Sequence, residues 1–299
     1  MKVSKKFLII ATIVVLLLIP TIMFSGCRYF LNRGVELIED NPEQARSHFE
    51  TALKFNPFNG EGYAFLAKSY HMDEDIEAIA SLPLMDKVVE NYKKSLDNGY
   101  EERWVYATLG EIFKEKSRII SHIEGNYEEG EDYGIKAINY LEKANEIEPQ
   151  VIDYYFMGYV KLYGFEDEAE KSLDYFKKAY DLDNTDWRAL LGLGYAHTAL
   201  DDHYKAFEYY KESVEQRRSA LAYNGWGHAY YILENDPAGA IDLFHRAYEI
   251  DPENITTIYN LAMMYDYVGA EETANIFWEE LEEFDEKGVY DNYLEGDDE

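Results

Sequence analysis

Cys27 is the only cysteine of the 299 residues, so the chain cannot form an internal disulfide framework. It follows residues 7–24, an apolar stretch without a charged side chain, which is itself preceded by Lys2, Lys5 and Lys6. A basic N-terminal region, an apolar region and small residues before a cleavage site are typical of an export signal. The apolar stretch is also just long enough to span a bilayer. We expect nothing near Cys27 to bury it, so its position predicts a role at a membrane.

The four residues Phe24-Ser25-Gly26-Cys27 resemble the lipobox of bacterial lipoproteins, although that family prefers leucine at the position of Phe24. The resemblance implies that residues 1–26 are a signal peptide and that Cys27 carries lipid on its sulfur and its new amino group. The chain would then be lipid-anchored on the extracytoplasmic side, facing the periplasm or the cell surface. The alternative is a signal anchor that is not cleaved. Both interpretations place residues 28 onward across the membrane.

Other chemistry-bearing patterns are missing from the sequence. It contains no HExxH, HxH, paired-cysteine, glycine-rich phosphate-loop or G-x-S-x-G motif. The acidic stretch 124–132 lacks the alternating oxygen ligands of an EF-hand calcium loop. We therefore expect no catalysis, no cofactor and no metal site.

The composition excludes one class of partner and permits a large core. The formal net charge is -31, and such a surface repels the phosphate backbone of nucleic acids. A disordered acidic chain is not indicated, because 47% of the residues are hydrophobic and 16% are aromatic, including 28 tyrosines.

Internal repeats indicate the architecture. Helix endings recur as ALKFNP, ANEIEP, AYEIDP and AYDLDN. Upstream of these four endings, at positions 45, 137, 172 and 240, a small residue precedes a large one by four positions, and three weaker copies at positions 88, 206 and 274 complete the set. The last four intervals are 35, 34, 34 and 34 residues. A fixed period of this length is typical of stacked helical hairpins, in which small residues let two helices approach closely.

A second signature places an apolar and a small residue together, and an aromatic residue follows three positions later in several copies. The copies are Leu66-Ala67, Leu109-Gly110, Met157-Gly158, Leu193-Gly194, Trp226-Gly227 and Leu261-Ala262. This pattern resembles the tetratricopeptide repeat (TPR). The resemblance implies an all-α fold, a right-handed α-solenoid of about seven helical hairpins over residues 28–286, followed by an acidic tail at 287–299.

Two of the repeat intervals are too long. The surplus residues predict insertions near 72–87 and 121–134, and in the second we expect Gly125, Gly130 and Gly134 to break a helix. Insertions in loops are candidate contacts for a partner or tolerated surface additions.

The TPR resemblance also implies a concave groove that accepts an extended peptide or a helix. The matched positions predict that it is lined by Tyr155, Tyr159, Tyr163, Tyr195, Asn224, His228, Tyr231, Tyr259, Met263 and Tyr267. Tyrosine combines a large contact area with a hydroxyl group, which suits recognition surfaces. The alternative is that these rings pack between helical pairs. Arg188 is the only clear cation expected near these rows.

These observations predict a lipid-anchored TPR scaffold or adaptor of the bacterial cell envelope, binding a protein or peptide partner with basic edges. The resemblance to TPR lipoproteins also admits an alternative, a ligand-handling accessory of a tripartite-type transporter. An enclosed apolar pocket would favour the alternative, and an open groove favours the scaffold.

Overall fold

The computed structural model describes residues 23–72, 82–123, 125–165 and 168–285. Over these ranges it consists of helices joined by turns, and no strand is present in them. The chain forms two compact units, Met1–Ile112 and Phe113–Glu299, which are called unit 1 and unit 2 below. Most of the predicted signal peptide and the whole predicted acidic tail lie outside the described residues.

Unit 1 contains four helices and the first part of a fifth. They are α1 (23–37), α2 (Pro42–Phe55), α3 (Gly60–His71), α4 (Leu82–Asp97) and the start of α5 (Arg103–Arg118). The predicted insertion near 72–87 therefore ends inside α4, and its residues 73–81 lie outside the described ranges.

Unit 2 continues from the end of α5 through a π-helical turn, Ile119–Ile123. Its further helices are α6 (Tyr127–Ile147), α7 (Val151–Tyr163), α8 (Ala169–Leu182), α9 (Trp187–Ala199), α10 (His203–Gln216), α11 (Ala220–Glu234), α12 (Pro237–Ile250), α13 (Ile255–Tyr267) and α14 (Glu271–Asp285). Successive helices pack as antiparallel pairs, for example α7 with α8 and α9 with α10. Such pairs are formed by α3 with α4, α7 with α8, α9 with α10, α11 with α12 and α13 with α14, so the predicted all-α array of helical hairpins is confirmed.

Short polar side chains set where many of these helices begin. The side chains of Asp186, Asp202, Ser219, Asp236 and Asn254 each accept a hydrogen bond from a backbone N–H two or three residues later. This satisfies donors that have no partner inside the first turn, which is worth about 1 kcal/mol for each cap. The sequence therefore specifies the helix starts locally, before the helices pack.

Within a pair, a ring on the second helix lies against a glycine on the first. A Cβ atom added at Gly158 would lie 2.6 Å from the ring of Phe176, and one added at Gly194 would lie 2.5 Å from the ring of Tyr210. The same ring also contacts the first helix of the next pair, because Gly192 faces Phe176 and Gly225 faces Tyr210. Each ring therefore fills the space between two glycines of successive pairs.

Unit 1 uses the same contact, at a position that the repeat signatures did not include. Gly34 on α1 lies against the ring of Phe49 on α2, and Phe49 is fully buried. Phe30, one turn before Gly34, stacks on Phe55 with the ring centroids 5.7 Å apart. The stretch after Cys27 is thus the first helix of a pair.

One expectation about the second insertion is wrong. Only Gly125, at a φ of +67°, lies outside a helix, whereas Gly130 and Gly134 are buried within α6. Ser117 donates a hydrogen bond of 2.7 Å to the carbonyl of Gly130, and a Cβ atom at Gly130 would collide with Ser121. Close approach of α5 and the π-helical turn explains these glycines, and the surplus residues lengthen α6.

We predict that replacing Gly194 with alanine lowers the free energy of unfolding by about 1–3 kcal/mol, because the new methyl group overpacks against Tyr210. In an ordinary helix interior the same change would stabilise by about 0.5–1 kcal/mol, so the sign of the effect is diagnostic. Thermal unfolding followed by circular dichroism measures it. The control is Ala238→Leu at an exposed position of α12, where we expect a change within about 0.5 kcal/mol. A Gly194→Ala protein as stable as the parent would contradict the packing described above.

Candidate partner-binding surface

The first candidate residues form a row along α7. Tyr155, Tyr159 and Tyr163 are spaced four residues apart, so they share one face of the helix. The ring centroids of Tyr155 and Tyr159 are 6.5 Å apart, and those of Tyr159 and Tyr163 are 4.7 Å apart. Tyr195 on α9 continues the row, with its ring edge-to-face against Tyr163 at 6.1 Å. The structure therefore brings the four predicted tyrosines of α7 and α9 into one cluster.

The tyrosines of this cluster differ in exposure. Tyr155 and Tyr195, which pack on other rings, are called the base, and the exposed Tyr163 is called the rim. Tyr155 packs against Phe176 at 5.9 Å, and Tyr195 packs against Tyr210 at 5.9 Å. Burial raises the pKa of Tyr155 and of Tyr195 well above the ordinary value of a phenol, so both hydroxyl groups stay protonated at neutral pH. Tyr163 is 43% exposed and can contact a partner directly. The base rings belong to the packing between helices.

A second aromatic group joins α11 to α13. The rings of Tyr231 and Tyr267 meet edge-to-face at 5.5 Å, and a hydrogen bond with Tyr267 raises the pKa of Tyr231. Tyr267 is 61% exposed, and Met263, one turn earlier on α13, is also exposed. Tyr259 is half-buried and packs edge-to-face on Trp278 of α14 at 5.8 Å. This group therefore also has a packed base and an exposed rim.

Asn224 lies between the aromatic groups and is buried in the structure. Its Nδ2 atom donates to Oγ1 of Thr257 at 2.7 Å, and Thr257 in turn donates to Oδ1 of Asn254 at 3.0 Å. These bonds tie α11 to the N-terminal cap of α13. Asn224 thus aligns the two helices, whereas His228, one turn later on α11, is exposed to solvent.

The cations near the tyrosines differ from the expectation. Besides Arg188, a shallow cleft at the α7 end of the row brings Lys114 and Arg118 of α5 beside Tyr159 and Tyr163. The cleft is lined by Lys114, Ser117, Arg118, Ser121, Tyr159, Val160, Tyr163 and Gly164. The i,i+4 spacing of Lys114 and Arg118 on α5 is visible in the sequence, but only the fold shows that this end of α5 lies beside α7.

Carboxylates lie next to these cations. Arg118 Nε donates to Glu115 Oε1 at 2.8 Å, and Lys114 lies 3.9 Å from the same carboxylate. Arg188 Nε donates to Asp186 Oδ1 at 3.0 Å, and these bonds raise the pKa of Arg188. At the opposite end of the surface, Glu234 and Asp266 are exposed close to Tyr231 and Tyr267 in the chain. The α11–α13 end is therefore acidic at its margin.

Cys27 is placed differently from the expectation that nothing could bury it. It lies in α1 and is 3% exposed, and Nδ2 of Asn59 donates to its Sγ atom at 3.4 Å. Burial raises the pKa of the thiol. Asn59 is 32 residues away in the chain, so no local pattern around Cys27 could have predicted this contact.

Neither a metal-binding cluster nor a membrane-spanning helix is found in the described ranges. In those ranges, no three or more His, Cys, Asp or Glu side chains are grouped so that they could hold a metal ion. None of the described helices has both the length and the apolar content needed to cross a membrane. The apolar stretch 7–24 lies almost entirely outside the described residues.

The sequence and the fold are similar to known TPR proteins. Residues 188–219, which span α9 and α10, match the tetratricopeptide repeat model. The TPR repeat-containing protein MJ1428 of Methanocaldococcus jannaschii is 22% identical over 264 residues, which are 78% of this chain and 45% of that protein. The chain thus spans less than half the length of this relative.

Solved structures confirm the fold. A tetratricopeptide repeat protein from Parabacteroides merdae superposes with a TM-score of 0.66 at 13% identity, covering 90% of this chain and 96% of that one. Pseudomonas aeruginosa PilF gives a TM-score of 0.54 at 18% identity, covering 83% and 99% of the two chains. The helical pairs are therefore TPR-like, as the repeat signatures predicted.

The division of the tyrosines into base and rim predicts unequal losses of stability. Tyr195→Ala should lower the free energy of unfolding by about 3 kcal/mol, since it empties a packed site. Tyr267→Ala removes an exposed ring and should cost less than about 1 kcal/mol. Denaturant unfolding of the two variants measures the difference. Equal losses in both would show that the rim tyrosine also belongs to the core.

Proposed function

We propose that this protein is a non-catalytic scaffold that holds an extended segment of a partner protein across α7, α9, α11 and α13. The observation that carries the proposal is the rim of unit 2. There Tyr163 and Tyr267 are exposed above rings that are already packed. A packed base lowers the entropy lost when rim side chains are immobilised on binding. Such a surface is prepared for recognition and carries no reactive group.

A protein partner is favoured over a small molecule by the shape and chemistry of the surface. A site for a small ligand is typically an enclosed, mostly apolar cavity. The cleft beside Tyr159 and Tyr163 has a cavity volume of about 10 Å³, room for about one water molecule, and is bordered by Lys114, Arg118 and two serines. One exposed tyrosine instead lies in each aromatic group, Tyr163 on α7 and Tyr267 on α13, which suits a ligand long enough to reach both.

The charge of the chain favours a partner segment with basic edges. The net charge of -31 would speed encounter with a basic segment and repel an acidic one. Basic side chains already lie over tyrosine rings inside this protein: the guanidinium of Arg46 and the ammonium of Lys87 are each 4.0 Å from the ring centroid of Tyr70. A partner lysine over Tyr267 would repeat this contact, worth about 0.5–2 kcal/mol.

We further propose that the scaffold is attached to the membrane of a bacterial envelope through lipid on Cys27, on the extracytoplasmic side. The lipobox-like sequence and the apolar stretch before it support this proposal. The contact between Cys27 and Asn59 adds a condition. Because the sulfur is buried against Asn59 in the structure, a lipid on Cys27 requires the first turn of α1 to move away from Asn59.

The groove proposal predicts where a partner can be crosslinked. A photoreactive phenylalanine analogue at position 163 or 267 should trap a protein from solubilised envelopes, because these side chains contact the bound segment. The same analogue at Tyr204, an exposed residue on α10, is the matched control and should trap little. Equal trapping at all three positions would contradict a specific surface.

The affinity of the trapped partner then tests the energetic argument. A synthetic segment of that partner should bind Tyr163→Ala/Tyr267→Ala at least about tenfold more weakly than the parent, which corresponds to ~1.4 kcal/mol. Tyr204→Ala should bind like the parent. High salt should slow association more than it speeds dissociation. A folded double variant that keeps the parent affinity would place the site elsewhere, for instance in the predicted insertions.

The anchor proposal predicts that labelled fatty acid enters the parent and fails to enter Cys27→Ser, because serine lacks the sulfur to which lipid is attached. The control is Asn59→Ala, which removes the hydrogen bond to Cys27 but keeps the thiol, and it should still incorporate label. Incorporation into Cys27→Ser at the parent level would contradict lipid attachment at this residue. If neither the parent nor Asn59→Ala is labelled, Cys27 is a core residue only.

A further inference from the structure

The two rim tyrosines of unit 2 lie at the C-terminal ends of the first helices of its pairs. Tyr163 is the last residue of α7, and Tyr267 is the last residue of α13. These first helices are neighbours in chain order, because α7 contacts α9, α9 contacts α11 and α11 contacts α13. A segment that reaches from Tyr163 to Tyr267 therefore passes over the C-terminal ends of all four helices.

The α7 end of this path is basic. Lys114 and Arg118 of α5 are the two charged residues that line the cleft beside Tyr163. One carboxylate lies with them, since Arg118 Nε donates to Glu115 Oε1 at 2.8 Å and Lys114 Nζ is 3.9 Å from Glu115 Oε2. Glu115 is buried, whereas the Arg118 side chain is 35% exposed. Two cations beside one carboxylate stand out in a chain with 59 acidic and 28 basic side chains.

The cleft also presents hydroxyl groups. Ser117 and Ser121 line it and are buried, and Ser121 belongs to the π-helical turn Ile119–Ile123. Turns of this kind are rare and are frequently found at functional sites. The cavity holds only about one water molecule, so an anionic group fits over its mouth, where Arg118 is exposed.

The ends of the other three first helices carry exposed carboxylates. Asp201 lies in the turn after α9, and its side chain is 96% exposed. Glu234 is the last residue of α11, and Asp266 lies in the last turn of α13; both are exposed. Asp266 is held in place, because Nε1 of Trp278 donates to its Oδ2 at 2.9 Å. Helix C-termini add negative partial charge, so this part of the path favours basic side chains.

We propose that the α5–α7 cleft binds a carboxylate at one end of the partner segment, while basic side chains at the other end lie over α11 and α13. The proposal rests on the proposed groove, makes one edge of the bound segment acidic and fixes the direction in which the segment lies. A carboxylate at Arg118 gains a charge-assisted hydrogen bond. A reversed segment would bring like charges together at both ends, which lowers affinity.

The fold sets the length of a suitable probe. Three helix-to-helix steps of about 8–10 Å are covered by about eight or nine extended residues. The test uses the full chain and peptides of about ten residues, with an aspartate pair at one end, a lysine pair at the other, and leucine and phenylalanine between them. Both termini are blocked, and a benzophenone is placed at the acidic or at the basic end.

Mass spectrometry of the crosslinked products gives the direction of the bound probe. We expect the benzophenone at the acidic end to react with α5 or α7, and the benzophenone at the basic end to react with α11 or α13. The parent chain is used for this map, so the map decides the inference even if a variant fails to fold.

Arg118→Gln should weaken binding of the probe at least about fivefold, because a charge-assisted hydrogen bond is lost. The matched control is Arg246→Gln on α12, which removes an arginine that also donates to a carboxylate, Asp242 at 3.0 Å. It changes the net charge equally and should bind like the parent. Circular dichroism checks that both variants are folded.

A second probe separates the two sources of a carboxylate. It has asparagines in place of the aspartates and a free C-terminal carboxylate at that end. Binding of either probe that depends on Arg118 supports the inference and shows whether a side chain or a chain terminus supplies the anion.

Three results would overturn the inference. They are crosslinking of the acidic end to α11 or α13 as often as to α5 or α7, an unchanged affinity in folded Arg118→Gln, and failure of every probe to bind the parent. Trapping of a partner at positions 163 and 267 tests the groove without these probes. Failure of the direction and failure of the groove are therefore distinguishable.

Discussion

The packing of three successive helical pairs in unit 2, from α7 to α12, depends on rings that are each held between two glycines. Phe176 and Tyr210 are fully buried, and each contacts one glycine of its own helical pair and one glycine of the next pair. Because interiors are close-packed, a methyl group at any of these glycines has no space. A single side chain therefore sets both the spacing of the two helices within a pair and the spacing between successive pairs. The opposite face of each first helix remains available for recognition.

The sequence predicted the pairs well and the contacts between pairs less well. The period and the small residues identified Gly158, Gly194 and Gly227 as helix contacts, because close approach within a hairpin leaves a local spacing signal. Gly192 and Gly225 were not identified, since their partner ring belongs to the preceding pair and no spacing within one repeat reveals it. Gly130 and Gly134 were misinterpreted as helix breakers, because propensity alone cannot distinguish a break from a close contact.

The candidate surface was predicted in position but not in accessibility. The tyrosine rows follow from helical periodicity, so their clustering on α7 and α9 could be expected. Which rings are exposed depends on neighbouring pairs: Tyr195 is covered by Tyr210, whereas Tyr267 lies near the end of α13 and stays exposed. The contact of Cys27 with Asn59, and the cleft that Arg118 shares with the α7 tyrosines, are formed by residues distant in the sequence.

The central claim is that a rigid array of helical pairs binds a protein segment on the faces of its first helices. Hydrogen exchange measured by mass spectrometry, with and without the bound partner, tests this claim most directly. Exchange reports local opening of backbone hydrogen bonds, so protection maps the contact. We predict slower exchange in peptides from α7, α9, α11 and α13, with α8, α10 and α12 changed little. Protection confined to α8, α10 and α12, or to residues 119–134, would contradict the account.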